Sequence, residues 1–175
     1  RAWDIKLAYC WSELPREQWL ALRYPEGFER IDPKTKEPLY MLLKKNCYGL
    51  PQAGRLWSQT RDKFMMEHFN KGRWKCHQCT YDPCLFYIQR DVNKDVINPE
   101  VAFDPNGRIQ RSKRKAREEA WVIIHTDDCD AIGTSKDILE DIFQAHNTQW
   151  KAKSVTPDYM LGIKREYTNI NGTRK

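Results

Sequence analysis

Residues 121–133, WVIIHTDDCDAIG, contain two short apolar segments separated by an acidic dipeptide. Trp121 to Ile124 and Cys129 to Gly133 have the length and composition of β-strands. Asp127 and Asp128 lie in the polar stretch between them, where the chain is expected to reverse. This stretch therefore predicts a β-hairpin that carries two adjacent carboxylates at its tip.

Two amphipathic helices are predicted, one on each side of this hairpin. Before it, apolar side chains from Ala53 onward recur with a period close to 3.6 residues until Phe69, and Gly72 follows. After it, residues 134–137, TSKD, resemble a capping box, and a second set of periodic apolar residues begins at Ile138. Each helix has one apolar face, which must be buried against another element.

Five further apolar segments have the length and composition of strands. They are Ala2–Lys6, Trp19–Tyr24, Leu39–Leu43, Cys84–Ile88 and Tyr159–Ile163. The predicted order along the chain is strands, helix, strand, insertion, hairpin, helix, strand. An α+β fold, in which two helices pack on one face of an antiparallel sheet, buries every apolar face of this series.

The segment from 91 to 119 differs from its surroundings and is predicted to be an inserted, solvated loop. It is rich in Asn, Pro and Gly, and its second half is strongly basic. The basic residues serve either solubility or contact with nucleic-acid phosphates, and solubility is the preferred interpretation. They are Arg108, Arg111, Lys113, Arg114, Lys115 and Arg117.

The composition is that of a globular protein with a basic balance. The chain has 175 residues, which is enough for one domain with its own core. Its net charge of +6 weakly favours a polyanionic partner, and its seven Trp and eight Tyr supply core volume or faces for stacking bases. No membrane-spanning segment or secretory signal is evident, and the missing initiator Met predicts a fragment of a longer protein.

The cysteines leave two alternatives, a zinc site or free thiols. Residues 76–79, CHQC, with Cys84 beyond them, resemble one pair of zinc ligands. A structural zinc site needs four ligands, and the second pair is missing unless Cys84 joins with His68 or His77. Reduced, partly buried thiols are therefore the expectation.

The paired aspartates suggest metal chemistry, because adjacent carboxylates repel each other unless a cation or solvent relieves them. Mg²⁺ prefers hard oxygen ligands, and two such ions can hold the attacking and leaving oxygens of a phosphoryl transfer. Asp4, in another predicted strand, is a candidate third ligand beside Asp127 and Asp128. Taken alone, an Asp pair at a turn is more often a solvated tip, so the metal hypothesis depends on further motifs.

Five motifs occur in an order that is more specific than any one of them. They are DIKLAY at 4–9, YGLPQAGRLW at 48–57, DPCLF at 82–86, HTDD at 125–128 and YMLGI at 159–163. This succession resembles the reverse transcriptase domain of copia-type retrotransposons, part of the retrovirus-related Pol polyprotein family. The resemblance covers nearly the whole chain apart from the insertion and the last few residues.

The resemblance implies that residues 1–175 form a single polymerase palm domain, with fingers and thumb incomplete or absent. It implies RNA-directed DNA polymerase activity, in which deoxynucleoside triphosphates extend a primer on an RNA or DNA template. Asp4, Asp127 and Asp128 match the family's catalytic, metal-binding aspartates, and the implied cofactor is Mg²⁺ or Mn²⁺. The implied partners are the rest of a Pol polyprotein, with integrase and RNase H, in cytoplasmic retroelement particles or the nucleus, and no membrane.

Three residues match the nucleotide-binding pocket of the family. Tyr9 matches an aromatic gate that excludes the 2′-hydroxyl of ribonucleotides. Gln52 matches a residue that lines the nucleotide and template pocket, and Arg55, one turn later, is placed to reach a phosphate. Without the resemblance, Tyr9 is an ordinary half-buried tyrosine and Arg55 an exposed helix residue.

Two further roles are implied near the end of the chain. Met160, Leu161 and Gly162 match the segment that grips the primer. Lys151 or Lys153 corresponds to the family's proton donor to the pyrophosphate leaving group, and the sequence does not choose between them.

The chain departs from the family pattern at four positions. His125 stands where Tyr is usual, Thr126 replaces a small aliphatic residue, Pro51 a basic residue and Gly54 a proline. None of these changes removes a carboxylate. The alternative hypotheses are a catalytically inactive relic that at most binds nucleic acid and, less favoured, a metal-dependent nuclease or nucleotide cyclase.

Overall fold

The computed structural model describes residues 1–92 and 117–156, followed by four two-residue strands between residues 159 and 174. The chain divides into two compact units. The first contains Arg1–Lys6 and Lys63–Lys175, and the second contains Leu7–Asp62.

Strands and two α-helices make up most of the regular structure. The helices are α1 (Ala53–His68) and α2 (Lys136–Trp150). The strands are β1 (Ala2–Asp4), β2 (Leu20–Arg23), β3 (Tyr40–Leu43), β4 (Trp74–Gln78), β5 (Leu85–Asp91), β6 (Arg117–His125), β7 (Asp128–Gly133), β8 (Lys153–Val155), β9 (Tyr159–Met160), β10 (Ile163–Lys164), β11 (Asn169–Ile170) and β12 (Thr173–Arg174). None of the helices in the described residues has the length and apolar composition of a membrane span.

A six-stranded antiparallel sheet organises the first unit, with strand order β4-β5-β6-β7-β1-β8. One face of the sheet is buried, because apolar side chains alternate along its central strands. The predicted α+β class, with an antiparallel sheet and two helices, is confirmed. The buried side chains of this face include Trp3, Phe86, Ile88, Val122, Ile124 and Cys129.

Helix α2 packs on the buried face through an aromatic cluster. The Trp3 ring centroid lies 6.0 Å from that of Phe143 and 5.3 Å from that of His146. Phe64, in the last part of α1, joins the cluster, with ring centroids 5.8 Å from His146 and 4.5 Å from Trp150. The side of the sheet away from this cluster is left open for polar residues.

The start of α2 corrects the predicted capping box. Ser135 is the N-cap, and its Oγ accepts a hydrogen bond from the Ile138 backbone N–H at 3.2 Å. Thr134 instead bonds the neighbouring strand, where its Oγ1 accepts from the Glu119 N–H at 2.9 Å. The helix ends at Lys151, whose left-handed backbone (φ 55°) closes the last turn.

The predicted strands were incomplete at both edges of the sheet. Strands β4 and β8 were not predicted, since edge strands of mixed polarity give no continuous apolar signal. The single strand predicted over Tyr159–Ile163 is wrong, because β9 and β10 pair with each other, Met160 opposite Ile163. An apolar run does not by itself reveal where the chain reverses.

The insertion is also shorter than the predicted range of 91–119. Strand β5 runs to Asp91 and β6 begins at Arg117, so both ends of the 91–119 segment belong to the sheet. An ion pair of 3.3 Å between Arg117 and Asp91 joins the two strands there. The remainder of the insertion, 93–116, lies outside the described residues.

Buried Asn46 ties together separate segments of the second unit. Its Nδ2 donates to the Ala53 carbonyl at 2.9 Å and to Ser12 Oγ at 3.3 Å, and its Oδ1 accepts from the Cys47 N–H at 3.0 Å. Asn46→Ala is expected to lower the free energy of unfolding by about 1–3 kcal/mol, because buried partners lose their hydrogen bonds. Urea denaturation measures this loss, with the exposed Gln144→Ala as a control that changes little. Equal effects in the two variants would contradict this role for Asn46.

Fully buried His146 makes the stability of the first unit depend on pH. Burial lowers the pKa of His146 to about 4, a shift that nearby His68 increases and the hydrogen bond to the Ile142 carbonyl partly offsets. The unfolded chain protonates this histidine near 6.5, so stability is expected to fall as the pH drops from about 6.5 towards 4. The contribution is at most roughly 1.4 kcal/mol per pH unit. Urea midpoints at pH 7 and pH 5 should differ less in His146→Leu than in the parent chain, and an unchanged difference would reject the assignment.

Candidate functional site

The predicted acidic hairpin is present between β6 and β7. His125 is paired with Asp128, and the turn between them consists of Thr126 and Asp127. Thr126 has φ 56°, a left-handed backbone that costs a β-branched residue roughly 1–2 kcal/mol. Strain of this kind persists only where the surrounding structure maintains it.

Strand β1 brings a third carboxylate beside this hairpin. It pairs with β7 so that Asp4 lies opposite Asp128, and with β8 so that Lys153 lies opposite Asp4. Directly opposed residues project to the same face, with Cβ atoms about 4.5–5.5 Å apart. A single row across four strands therefore contains, in order, Lys153, Asp4, Asp128 and His125. This row occupies the open face, because the alternate residues Trp3 and Cys129 face the core.

The backbone fixes Asp127 next to this row. The Ile5 N–H donates to the Asp127 carbonyl at 2.9 Å, which attaches the turn to the end of β1. Cys129 Sγ also approaches the same carbonyl, at 3.6 Å. Asp4, Asp127 and Asp128 are all half-buried, so their side chains remain accessible from the open face.

Electrostatic interactions show that the three carboxylates are close enough to affect one another. The pKa of Asp4 is raised, first by burial and then by the negative charges of Asp127 and Asp128, while the Lys153 ammonium lowers it. A positive charge placed among these oxygens would relieve the repulsion. The site is therefore electrostatically suited to a cation.

The structure distinguishes the two candidate lysines. Lys153 faces Asp4 across the β1–β8 pair, whereas Lys151 terminates α2 two residues earlier. Lys153→Gln is expected to raise the pKa of Asp4 further, because the charge that stabilises its carboxylate is lost. Lys151→Gln serves as the charge-matched control. A ¹³C NMR titration of the Asp4 carboxyl measures both, and equal shifts would contradict the pairing.

The residues predicted to bind the nucleotide belong to the second unit. Tyr9 lies in a 3₁₀ turn (Ala8–Trp11), half-buried, with its ring centroid 4.6 Å from that of Tyr48. Gln52 immediately precedes α1, and its carbonyl accepts the Leu56 N–H at 3.0 Å. Arg55 is exposed in the first turn of α1, as predicted for a helix residue.

The predicted primer-gripping segment is only partly described. Met160 ends β9, and β9 approaches β7, the strand that carries Asp128. Leu161 and Gly162 lie outside the described residues. Of the three residues predicted to grip the primer, only Met160 therefore has a described position.

One carboxylate of the open face was missed in the sequence. Asp130 lies two residues after Asp128 on β7, half-buried, and pairs with Ala2 on β1. Strand alternation places Asp128 and Asp130 on the same face. The sequence Asp-Cys-Asp at 128–130 indicates this arrangement, because side chains two residues apart point to the same face when the strand predicted over 129–133 begins one residue earlier.

The cysteines form no evident metal site. All six are free thiols, and burial raises the pKa of the core residue Cys76 to about 12. Within the described ranges, no three His, Cys, Asp or Glu side chains already converge as a ready-made metal cluster. The aspartates of the open face are thus neighbours whose oxygens do not yet point at one centre.

Comparisons with protein-family models, with curated proteins and with solved structures found no match to this chain.

Proposed function

We propose that this chain is the palm of an RNA-directed DNA polymerase of the copia retrotransposon type. The observation that carries the proposal is that Asp4 lies beside Asp128 on the open sheet face and next to the turn that contains Asp127, although more than 120 residues separate Asp4 from both. The order of the five motifs supports it independently. The palm assignment and the polymerase activity stand together as one proposal.

The donor set suits a divalent cation. Carboxylate oxygens are the hard ligands that Mg²⁺ and Mn²⁺ prefer. Burial is the main cause of the raised pKa of Asp4, and the charges of Asp127 and Asp128 add to it; a bound cation would relieve this added repulsion. Ions held by Asp4, Asp127 and Asp128 would supply activation of the primer 3′-hydroxyl and neutralisation of charge on the triphosphate.

The chain's own residues divide the remaining tasks. Asp4 and Asp127 would hold the ions, and Asp128 would support them from the neighbouring position. Of the two lysines, Lys153 is assigned proton donation to the pyrophosphate leaving group, and its position opposite Asp4 supports this choice. The family resemblance assigns the incoming nucleotide to Tyr9, Gln52 and Arg55, and the primer end to Met160, Leu161 and Gly162.

The test is primer extension on an RNA template annealed to a DNA primer, with deoxynucleoside triphosphates and Mg²⁺. The chain should be assayed alone and within its full natural reading frame, beside reactions that contain EDTA. Extension that depends on the divalent ion is the expected result. Primer-template binding without any extension, in both forms, would overturn the polymerase and leave the nucleic-acid-binding relic. Cleavage of the template or primer instead would favour the nuclease alternative.

A further inference from the structure

A groove in the second unit combines positive charge with aromatic faces. It has a volume of about 380 Å³, within the roughly 300–1,000 Å³ typical of ligand sites. It lies between the β2–β3 hairpin and the connection that joins the two strands. Its lining is Arg23, Tyr24, Glu29, Arg30, Pro38, Leu39 and Tyr40.

Backbone pairing holds the groove in shape. Arg23 lies opposite Tyr40 in the β2–β3 register, so both side chains project to the same face. Beyond the strands, the Leu39 N–H donates to the Arg30 carbonyl at 2.8 Å, and Ile31 pairs with Pro38. The connection therefore folds back along the hairpin and brings Arg30 near Arg23.

The two guanidinium groups are available for an anion. Arg23 and Arg30 are exposed, and neither forms an ion pair with any carboxylate in the described part of the chain, including Glu29 beside them. The Arg30 guanidinium lies over the Tyr24 ring, 5.7 Å from its centroid, and both residues line the groove. A phosphate here would meet two donors that have no competing partner.

The remaining surface suits a flat, weakly polar group. Tyr40 is 52% exposed and Leu39 41% exposed, so a ring face and an aliphatic surface border the cations. Aromatic faces stack any nucleobase, with a contribution that depends little on base identity. The groove is open on its rim, where most lining residues are exposed, so a continuous strand can pass through it.

We propose that this groove binds single-stranded nucleic acid, with a base stacked on Tyr40 and the flanking phosphates held by Arg23 and Arg30. Unpaired bases expose the ring faces that stacking needs, whereas a duplex hides them. An isolated mononucleotide would be only partly covered by so open a site, while a strand gains from each neighbouring phosphate. The groove lining shares no residue with the aspartate row, and the proposed binding does not require a metal ion.

The experiment measures anisotropy of a fluorescein-labelled oligo(dT) 20-mer in EDTA, with the full chain carrying Asp127→Asn. Under these conditions neither the metal ions nor catalysis contributes, so the result does not depend on the proposed polymerase. Arg23→Gln/Arg30→Gln is expected to weaken binding about tenfold or more at moderate salt. It should also reduce the slope of log K against log salt by about 1.4, for two lost phosphate contacts.

The matched control is Lys34→Gln/Lys36→Gln, which removes the same charge from the same connection outside the groove lining. Tyr40→Leu should weaken binding about tenfold, whereas Tyr40→Phe should retain it because the ring remains. Equal losses in the arginine and lysine variants would overturn the site in favour of diffuse charge attraction. If the Tyr40→Leu variant loses as much affinity for an oligo(dT)·oligo(dA) duplex as for single-stranded oligo(dT), the stacking of unpaired bases is overturned. Circular dichroism confirms that each variant keeps its fold.

Discussion

Asp127→Asn is expected to lower Mg²⁺-dependent primer extension by about a thousandfold or more, while primer-template binding changes little. The amide keeps the size of the side chain but loses the charge and one strong metal ligand. Loss of an ion's charge stabilisation costs several kcal/mol in the transition state, and each 1.36 kcal/mol is a factor of ten in rate. The backbone contact from Ile5 uses the Asp127 carbonyl, so the turn should keep its structure.

Matched substitutions along the same face sharpen this result. Asp4→Asn is expected to match Asp127→Asn, and Asp128→Asn to lose less activity, because Asp128 has only a supporting role in the proposed metal site. Asp130→Asn makes the same chemical change two residues further along β7 and serves as the control. Initial rates of primer extension, at saturating Mg²⁺, compare the four variants. An Asp130→Asn loss as large as that of Asp127→Asn would indicate a general charge effect and would contradict a specific centre.

Trp3→Ala is expected to have the largest effect on stability, about 3–5 kcal/mol, which is the range for deleting a fully buried large aromatic residue. The Trp3 side chain is completely buried and contacts both Phe143 and His146 of α2. Its removal leaves a cavity between the sheet and that helix. Urea denaturation monitored by circular dichroism gives the change in free energy of unfolding.

Two controls separate packing from the simple loss of a tryptophan. Trp121→Ala removes the same side chain from the open face, where it is 49% exposed and stacks on Tyr87 at 4.5 Å, so the expected loss is much smaller. Trp3→Phe keeps most of the ring volume and removes a buried N–H that has no partner among the described residues. It should therefore cost far less than Trp3→Ala. Equal losses for Trp3→Ala and Trp121→Ala would contradict a core anchored by Trp3.

The hairpin and both helices could be predicted because their apolar residues follow the periods of regular structure. Trp121 to Ile124 is a fully apolar run, and α2 repeats its buried residues every three to four positions. Asp130 could also have been recognised, since it shares the two-residue alternation of β7. These features depend only on neighbours in the sequence, where the relevant signal is local.

The pairing of Asp4 with Lys153 could not be predicted. Strand β8 has the sequence Lys-Ser-Val, is exposed at the sheet edge and lacks an apolar pattern. Its register depends on hydrogen bonds to β1, more than 140 residues earlier in the chain. The same limit applies to the groove of the second unit, because Arg23 and Arg30 acquire a common surface only when the connection folds back. The pairing register of strands that are far apart in the chain cannot be predicted from a short window of sequence.

The position of β1 between β7 and β8 has a consequence for how the protein is made. Its neighbours in the sheet, β7 and β8, follow β1 by more than 120 residues and therefore leave the ribosome later. Pairings of such high contact order form late, after the loop-closure entropy between them has been overcome. A nascent chain therefore exposes Asp4 and the apolar side chain beside it until translation of this region is almost complete. The aspartate row is assembled only in a chain that has been translated through β8, so a truncated product retains the local hairpin but never the full row.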